Sequence, residues 1–166
     1  MKNELSQNKK FYNIIKNKLT SEKAFGFQHQ IHVVIDDNSF VSFPLHFIST
    51  NTKGLLMNFL GCFAYDTFGN RVKEVIFISE SELSSCYSEK EKKESVLHNT
   101  DLLIVSSLTR NNIYKSNIGK IIRNSKKQII KIEDMKENAI TKDFLLETFW
   151  KYYECAVDEL EKQTIN

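Results

Sequence analysis

Three observations predict an α+β fold with a single largely antiparallel sheet, formed by a hairpin, a central strand and a three-stranded meander, with helices packed mainly on one face. An unbroken apolar run at 75–78 is too short for a buried helix and is typical of a strand covered on both faces. Two strand-like runs precede it and three follow it, each bounded by turn-forming residues. Amphipathic helical patterns lie near both ends of the chain and between the hairpin and the central strand.

The composition predicts one domain that spans 1–166. A chain of 166 residues can bury a core without disulfides or metals, and 41% hydrophobic with 27% charged residues is typical of soluble globular proteins. The cysteines are odd in number and lack CxxC spacing, which argues against a disulfide framework or structural zinc; they are Cys62, Cys86 and Cys155. Without a leader-like N-terminus or a run of ~18 apolar residues, we expect a cytoplasmic protein that does not enter a membrane.

The first elements are predicted to be an amphipathic helix and a β-hairpin. Within 5–19, apolar residues recur at helical spacing, and lysines and asparagines fill the other positions; the apolar residues are Phe11, Ile14, Ile15 and Leu19. The runs 30–36 and 40–47 flank three turn formers, Asp37, Asn38 and Ser39. Pro44 has no N–H group, so its strand is predicted to lie at an edge of the sheet.

The hairpin register can be predicted from the alternation of side chains. Pairing Asp36 with Phe40 gathers the apolar residues on one face, which holds Ile31, Val33, Ile35, Val41, Phe43, Leu45 and Phe47. The opposite face then carries His32 across from Pro44 and diagonal to His46. We therefore expect Val33 and Phe43 to be buried together, with both histidines on the other face.

The later elements follow from similar patterns. A helical stripe runs from Leu55 to Phe63 after potential N-caps at 49–52, and the central strand covers 74–82. The charged segment 83–100 is interpreted as containing a short helix, because Ser88 and Glu91 fit a capping box. The meander strands are predicted near 102–105, 113–123 and 128–132. A final helix follows, with Thr141 as N-cap, Ile140 and Leu145 as a hydrophobic staple, and a stripe formed by Leu146, Phe149, Trp150, Tyr153, Val157 and Leu160.

Two pairs of residues are candidates for catalysis. His32 and His46 lie on one predicted face about 7 Å apart, but the hairpin supplies no matching carboxylate, which makes a metal site a weak interpretation. Glu80 and Glu82 project to one side of a strand end, as paired acid and base carboxylates would. The four residues together define one alternative, a small hydrolase. No phosphate-binding glycine loop occurs, and we expect no cofactor.

The segment 102–132 contains seven basic residues and no acidic ones, although the whole chain carries a net charge of only +2. These residues are predicted to form a positive surface for a partner: Arg110, Lys115, Lys120, Arg123, Lys126, Lys127 and Lys131. Nucleic acid is one alternative partner, but base stacking needs interleaved aromatic residues and the segment contains only Tyr114. An acidic protein surface is the leading hypothesis.

The function hypothesis follows from the absence of a catalytic sequence motif. The leading hypothesis is a non-enzymatic protein-interaction module, such as an immunity, antitoxin or accessory/inhibitor protein that covers a partner's surface. A nucleic-acid-binding protein that uses the basic meander and a small hydrolase are the two alternatives. The sequence does not define the oligomeric state.

Overall fold

The computed structural model of the chain describes residues 7–36, 39–45, 50–88, 95–135 and 144–164, with the side chains of all of these except 50, 51, 83–88, 95–99 and 160–164. The elements in these ranges are α1 (Gln7–Ser21), β1 (Gln30–Ile35), β2 (Phe40–Pro44), α2 (Thr50–Phe68), β3 (Val72–Ser88), β4 (Ser95–Thr109), β5 (Tyr114–Arg123), β6 (Ile129–Met135) and α3 (Phe144–Thr164). A turn of 3-10 helix, Gly69–Arg71, joins α2 to β3.

The strands form one six-stranded antiparallel sheet in the order β2-β1-β3-β4-β5-β6, and α2 and α3 pack against it. This confirms the predicted α+β class. β3 lies inside the sheet, in agreement with its buried apolar run, and β2 lies at an edge, in agreement with Pro44.

The β1–β2 register differs from the predicted one by two residues. Phe40 pairs with Val34 instead of Asp36, and His32 pairs with Ser42 instead of Pro44. A shift of two residues keeps every side chain on its predicted face, so the apolar pattern could not distinguish the two registers. The backbone bond from Ile35 N–H to the Ser39 carbonyl, 2.8 Å, fixes the observed one.

Burial of the hairpin confirms only part of the prediction. Val33 is fully buried, and Phe43 packs against the same core while partly exposed. His32 is only 4% exposed, so its face of β1 is covered as well. His46 lies outside the described residues, and so do Ile140 and Thr141 before α3.

The predicted helix between 83 and 100 is contradicted in the parts of this segment that the structure describes, which are strand at 83–88 and 95–100. β3 continues to Ser88 and β4 begins at Ser95, while 89–94 lie outside the described residues. Antiparallel strands pair through backbone groups, and this pairing does not require the apolar side chains that the segment lacks. Ser88, which resembled a helix cap, therefore ends a strand.

The chain divides into two compact units, and β3, β4 and β5 contribute residues to both. The first unit contains Met1–Gln28, Ile78–Val105 and Asn117–Asn138, and the second contains His29–Phe77, Ser106–Ser116 and Ala139–Asn166.

The second unit has a continuous apolar core. The predicted stripe of α3 is buried in it, except for Leu160, whose side chain lies outside those described. α2 and α3 approach closely at Gly61, where a Cβ atom would lie 2.5 Å from the Phe149 carbonyl oxygen. Trp150 Nε1 donates to the Leu108 carbonyl at 2.9 Å, which anchors α3 to the end of β4.

The first unit is formed by α1, the adjoining parts of the sheet and the β5–β6 turn. Phe11 and Leu19 of α1 are buried as predicted, but Ile14 is 61% exposed and Tyr12 is fully buried in its place. Gly119 of β5 makes this possible, because a Cβ atom there would collide with Tyr12 and Ile132. Helical spacing identified the helix but not this packing residue.

Candidate functional site

Of the four candidates for hydrolysis, the structure describes His32, Glu80 and Glu82, while His46 lies outside the described residues. His32 belongs to the second unit, where its Nδ1 atom lies 2.6 Å from Ser42 Oγ. Glu80 belongs to the first unit and pairs with Arg123, while Glu82 is exposed. In the described part of the chain, no group of three or more His, Cys, Asp or Glu residues could hold a metal ion.

His32 is a buried neutral imidazole near pH 7. Burial lowers its pKa from 6.5 to about 4, because a charged ring would lose its hydration. The Phe40 ring meets it edge to face, with centroids 5.5 Å apart. These contacts indicate that His32 contributes to packing between β1 and β2.

Glu80 holds the loop that follows α1. Its carboxylate accepts hydrogen bonds from the Arg123 guanidinium and from the backbone N–H of Phe27. The loop backbone runs so close that a Cβ atom on Gly26 would lie 3.2 Å from Glu80 Oε2. Burial raises the pKa of Glu80, and the charge of Arg123 opposes this shift.

Arg123 connects four segments of the first unit. Its guanidinium binds Glu80 of β3, and Nε donates to Asp101 Oδ2 of β4 at 2.8 Å. Its Nη1 atom donates to two backbone carbonyls, that of Phe25 at 2.5 Å and that of Lys127 at 3.1 Å. The side chain is 19% exposed, so most of its hydrogen-bonding capacity is used inside the fold.

Two other predicted partner-binding bases also pair within the chain. Arg110 Nε donates to Glu154 at 2.9 Å, and the guanidinium lies 5.4 Å from the centre of the Tyr153 ring. Lys131 pairs with Glu133 at 2.7 Å, and both side chains are exposed. Lys115 and Lys120 are exposed on β5.

Lys126 and Lys127 are exposed on the β5–β6 turn, whose backbone is well fixed. The Asn124 side chain accepts from the N–H groups of Lys126 and Gln128, at 2.9 and 3.0 Å. Lys127 has a φ of 63°, a left-handed conformation that is uncommon for residues other than glycine.

The turn lies beside the loop after α1, which carries a third exposed lysine. The Ile129 N–H donates to the Ala24 carbonyl at 2.7 Å, and Arg123 joins the Phe25 and Lys127 carbonyls. Lys23 follows the end of α1 and has a φ of 50°. The Ala24 N–H donates to the Leu19 carbonyl, which caps the C-terminus of the helix. We call Lys23, Lys126 and Lys127 the lysine surface.

The charges of the lysine surface are not neutralised by neighbouring acids within the described ranges. None of its three lysines forms an ion pair there. Glu22 is exposed beside Lys23 and is the acidic neighbour in sequence. Glu80 and Asp101 are committed to Arg123, so the exposed residues retain a positive balance.

Sequence reasoning found Lys126 and Lys127 but missed Lys23 and Phe25. Phe25 is 68% exposed, next to the carbonyl that Arg123 binds. Both residues lie between predicted elements and about a hundred positions from the turn, so no spacing pattern connects them. The contacts made by Arg123 and Ile129 bring these segments together.

A shallow cleft of about 330 Å³ lies in the second unit beside Trp150. Arg110 and Glu154 line it and satisfy each other, as described above. The other charged residues that line it, Glu147 and Lys151, are opposite in sign, so the cleft offers a ligand less net charge than the lysine surface does.

Comparison of the chain with protein-family models, curated proteins and solved structures finds no match. Within the described residues, no helix combines the length and apolar character needed to cross a membrane.

Proposed function

We propose that this chain is a non-enzymatic interaction module that binds an acidic surface of a partner protein through the lysine surface. The observation that carries the proposal is the double contact of Arg123 with the Phe25 and Lys127 carbonyls. One partly buried guanidinium thus holds both lysine-bearing segments in fixed positions.

Fixed positions favour binding because less conformational freedom is lost when the partner docks. The exposed lysines supply charge that would steer an acidic partner toward this side of the first unit. Lys120, exposed on β5 of the same unit, lies opposite Glu133 of β6, which offsets its charge. The proposed module resembles in its mode of action an immunity, antitoxin or accessory protein, which acts by covering a partner.

Two observations favour this function over hydrolysis. His32 and Glu80, the candidate base and acid, each pair with a neighbour inside the fold. His32 is buried, and the Glu80 carboxylate, although 24% exposed, is bound on two sides. A nucleic acid remains a weaker alternative, since a single exposed aromatic residue accompanies the lysines and nucleic-acid grooves use several.

The proposal can be tested with a short polyglutamate peptide as the probe, measured by fluorescence anisotropy at low and high salt. We expect the double variant Lys126→Glu, Lys127→Glu to bind about tenfold more weakly at low salt, with the difference decreasing as salt rises. The matched control is Lys115→Glu with Lys151→Glu, which makes the same change in net charge at exposed positions of the second unit.

Equal losses in the two double variants would overturn the proposal, since net charge alone would then explain the binding. Tighter binding of oligo-dT than of polyglutamate would overturn it in favour of nucleic acid.

A further inference from the structure

We propose that Phe25 is the apolar anchor of the lysine surface, and that the partner's acidic segment carries a large apolar side chain that packs on it. This inference rests on the proposed function and specifies the partner's chemistry. Phe25 is 68% exposed, although phenylalanine is a residue that folding normally buries.

The backbone around Phe25 is held in place, which fixes the direction in which its side chain leaves the loop. Arg123 binds the Phe25 carbonyl, the Phe27 N–H is bound by Glu80, and the Ala24 carbonyl accepts from Ile129. Three consecutive parts of the loop are thus held by β5, β3 and β6. The loop cannot rotate Phe25 toward the core without breaking these bonds.

Phe25 is an exposed aromatic residue with one lysine on its own loop and two on the neighbouring β5–β6 turn, an arrangement typical of a binding surface. Interfaces place an apolar anchor inside a polar rim, and the anchor supplies most of the affinity. The positive rim selects a partner with acidic residues around the apolar one. Phe25 differs in this respect from Leu55 and Phe59 of α2, whose exposed stripe includes neither a lysine nor an acid between them.

The backbone of two of the lysines provides a clean way to test the arrangement. Lys23 and Lys127 have φ angles of 50° and 63°, a region that glycine occupies without steric cost. Replacing either lysine with glycine removes the charge and also relieves the backbone. Such variants should therefore fold at least as well as the original chain, which separates binding from folding.

The experiment uses two short glutamate-rich peptides that differ only in one central residue, leucine or serine. We expect the protein to bind the leucine peptide about fivefold more tightly, the effect of partly burying one aliphatic side chain. Phe25→Ser should remove this preference while keeping the affinity for the serine peptide and its salt dependence. Phe25→Leu, which keeps an apolar side chain, should retain the preference and serves as the conservative control.

The lysine variants test the other half of the surface. Lys23→Gly with Lys127→Gly should weaken binding of both peptides by similar factors and leave the leucine preference unchanged. If Phe25→Ser keeps the preference while the lysine variant still weakens binding, the role of Phe25 is refuted and the proposed function stands. If the lysine variant binds both peptides normally, the proposed function itself fails. Phe25-dependent binding that is tighter for oligo-dT than for either peptide would overturn the choice of a protein partner.

Discussion

Each of the two units is stabilised internally by a different kind of contact. In the second unit, side chains from α2, α3 and the sheet form one apolar cluster, with Leu146, Phe149 and Tyr153 fully buried. In the first unit, α1 and its loop are fixed to the sheet by polar side chains as well as by apolar ones.

The polar contacts of the first unit join distant parts of the chain. Asn8 donates to the Val105 carbonyl at 3.0 Å and accepts from Asn117, so one buried amide connects α1 to β4 and β5. The Tyr12 hydroxyl and Lys16 both donate to Asp134 of β6. Arg123 then positions the loop after α1 and the β5–β6 turn.

This difference shows that stability and the positioning of surface residues can depend on different contacts in one fold. Apolar burial supplies stability without fixing exact directions, while hydrogen bonds set positions because their geometry is narrow. The proposed binding by the lysine surface requires defined positions, and this surface lies on the unit where directional contacts add to apolar burial. We infer that Arg123 provides this order.

The largest expected effect is in the apolar unit. Phe149→Ala should lower the free energy of unfolding by about 3–5 kcal/mol, because it removes a fully buried ring and leaves a cavity against α2. Urea unfolding followed by circular dichroism would measure it. A loss below about 1 kcal/mol would show that the cluster is loosely packed and that the contrast between the units is overstated.

A second test concerns a polar residue inside the apolar unit. The pKa of His32 falls from 6.5 in an unfolded chain to about 4 in the fold, so between these pH values the unfolded chain binds more protons. The free energy of unfolding should therefore be fully retained above the unfolded pKa and should decrease on acidification, by about 1.5 kcal/mol between pH 6.5 and 5.

The control for this test is His32→Gln, which cannot titrate in that range. Its unfolding free energy should decline less steeply over the same pH interval, with His29, whose pKa is also lowered by burial, contributing to both proteins. Identical slopes for the two proteins would show that His32 is accessible to protons in the folded state.

The smallest effect is expected from a single polar atom in the first unit. Tyr12→Phe removes the hydroxyl that donates to Asp134 at 2.7 Å but keeps the buried ring over Gly119. Asp134 retains Lys16 and is half exposed, so the free energy of unfolding should fall by about 1 kcal/mol. A loss as large as that of Phe149→Ala would contradict the assignment of Tyr12 to positioning.

The sequence predicted the second unit, with its apolar core, better than the first. Helical spacing identified the stripe from Leu146 to Val157, and the run at 75–78 identified the interior strand, because burial leaves a periodic signal. Alternation in the hairpin gave the correct faces but not the register, since a two-residue shift leaves the pattern unchanged.

The residues of the proposed lysine surface, with Phe25, were only partly predictable from the sequence. The run of basic residues identified Lys126 and Lys127, but it also predicted that Arg123 binds a partner. In the structure, the Arg123 side chain pairs with Glu80 and Asp101. A charge in a sequence does not reveal whether it will find a partner in the fold. Phe25 was missed because a single apolar residue in a loop has no periodicity.

Hydrogen exchange at the Ile129 amide, which donates to the Ala24 carbonyl of the loop after α1, tests most directly whether Arg123 holds the lysine surface in place. In Arg123→Gln, we expect exchange at Ile129 to accelerate strongly, while the Leu45 amide, which donates to the His29 carbonyl in the second unit, keeps its protection. Arg110→Gln, which breaks an arginine ion pair in the second unit, should leave Ile129 protected. If Ile129 exchanges at the same rate with and without Arg123, or if Ile129 and Leu45 lose protection equally, Arg123 does not hold the lysine surface in place.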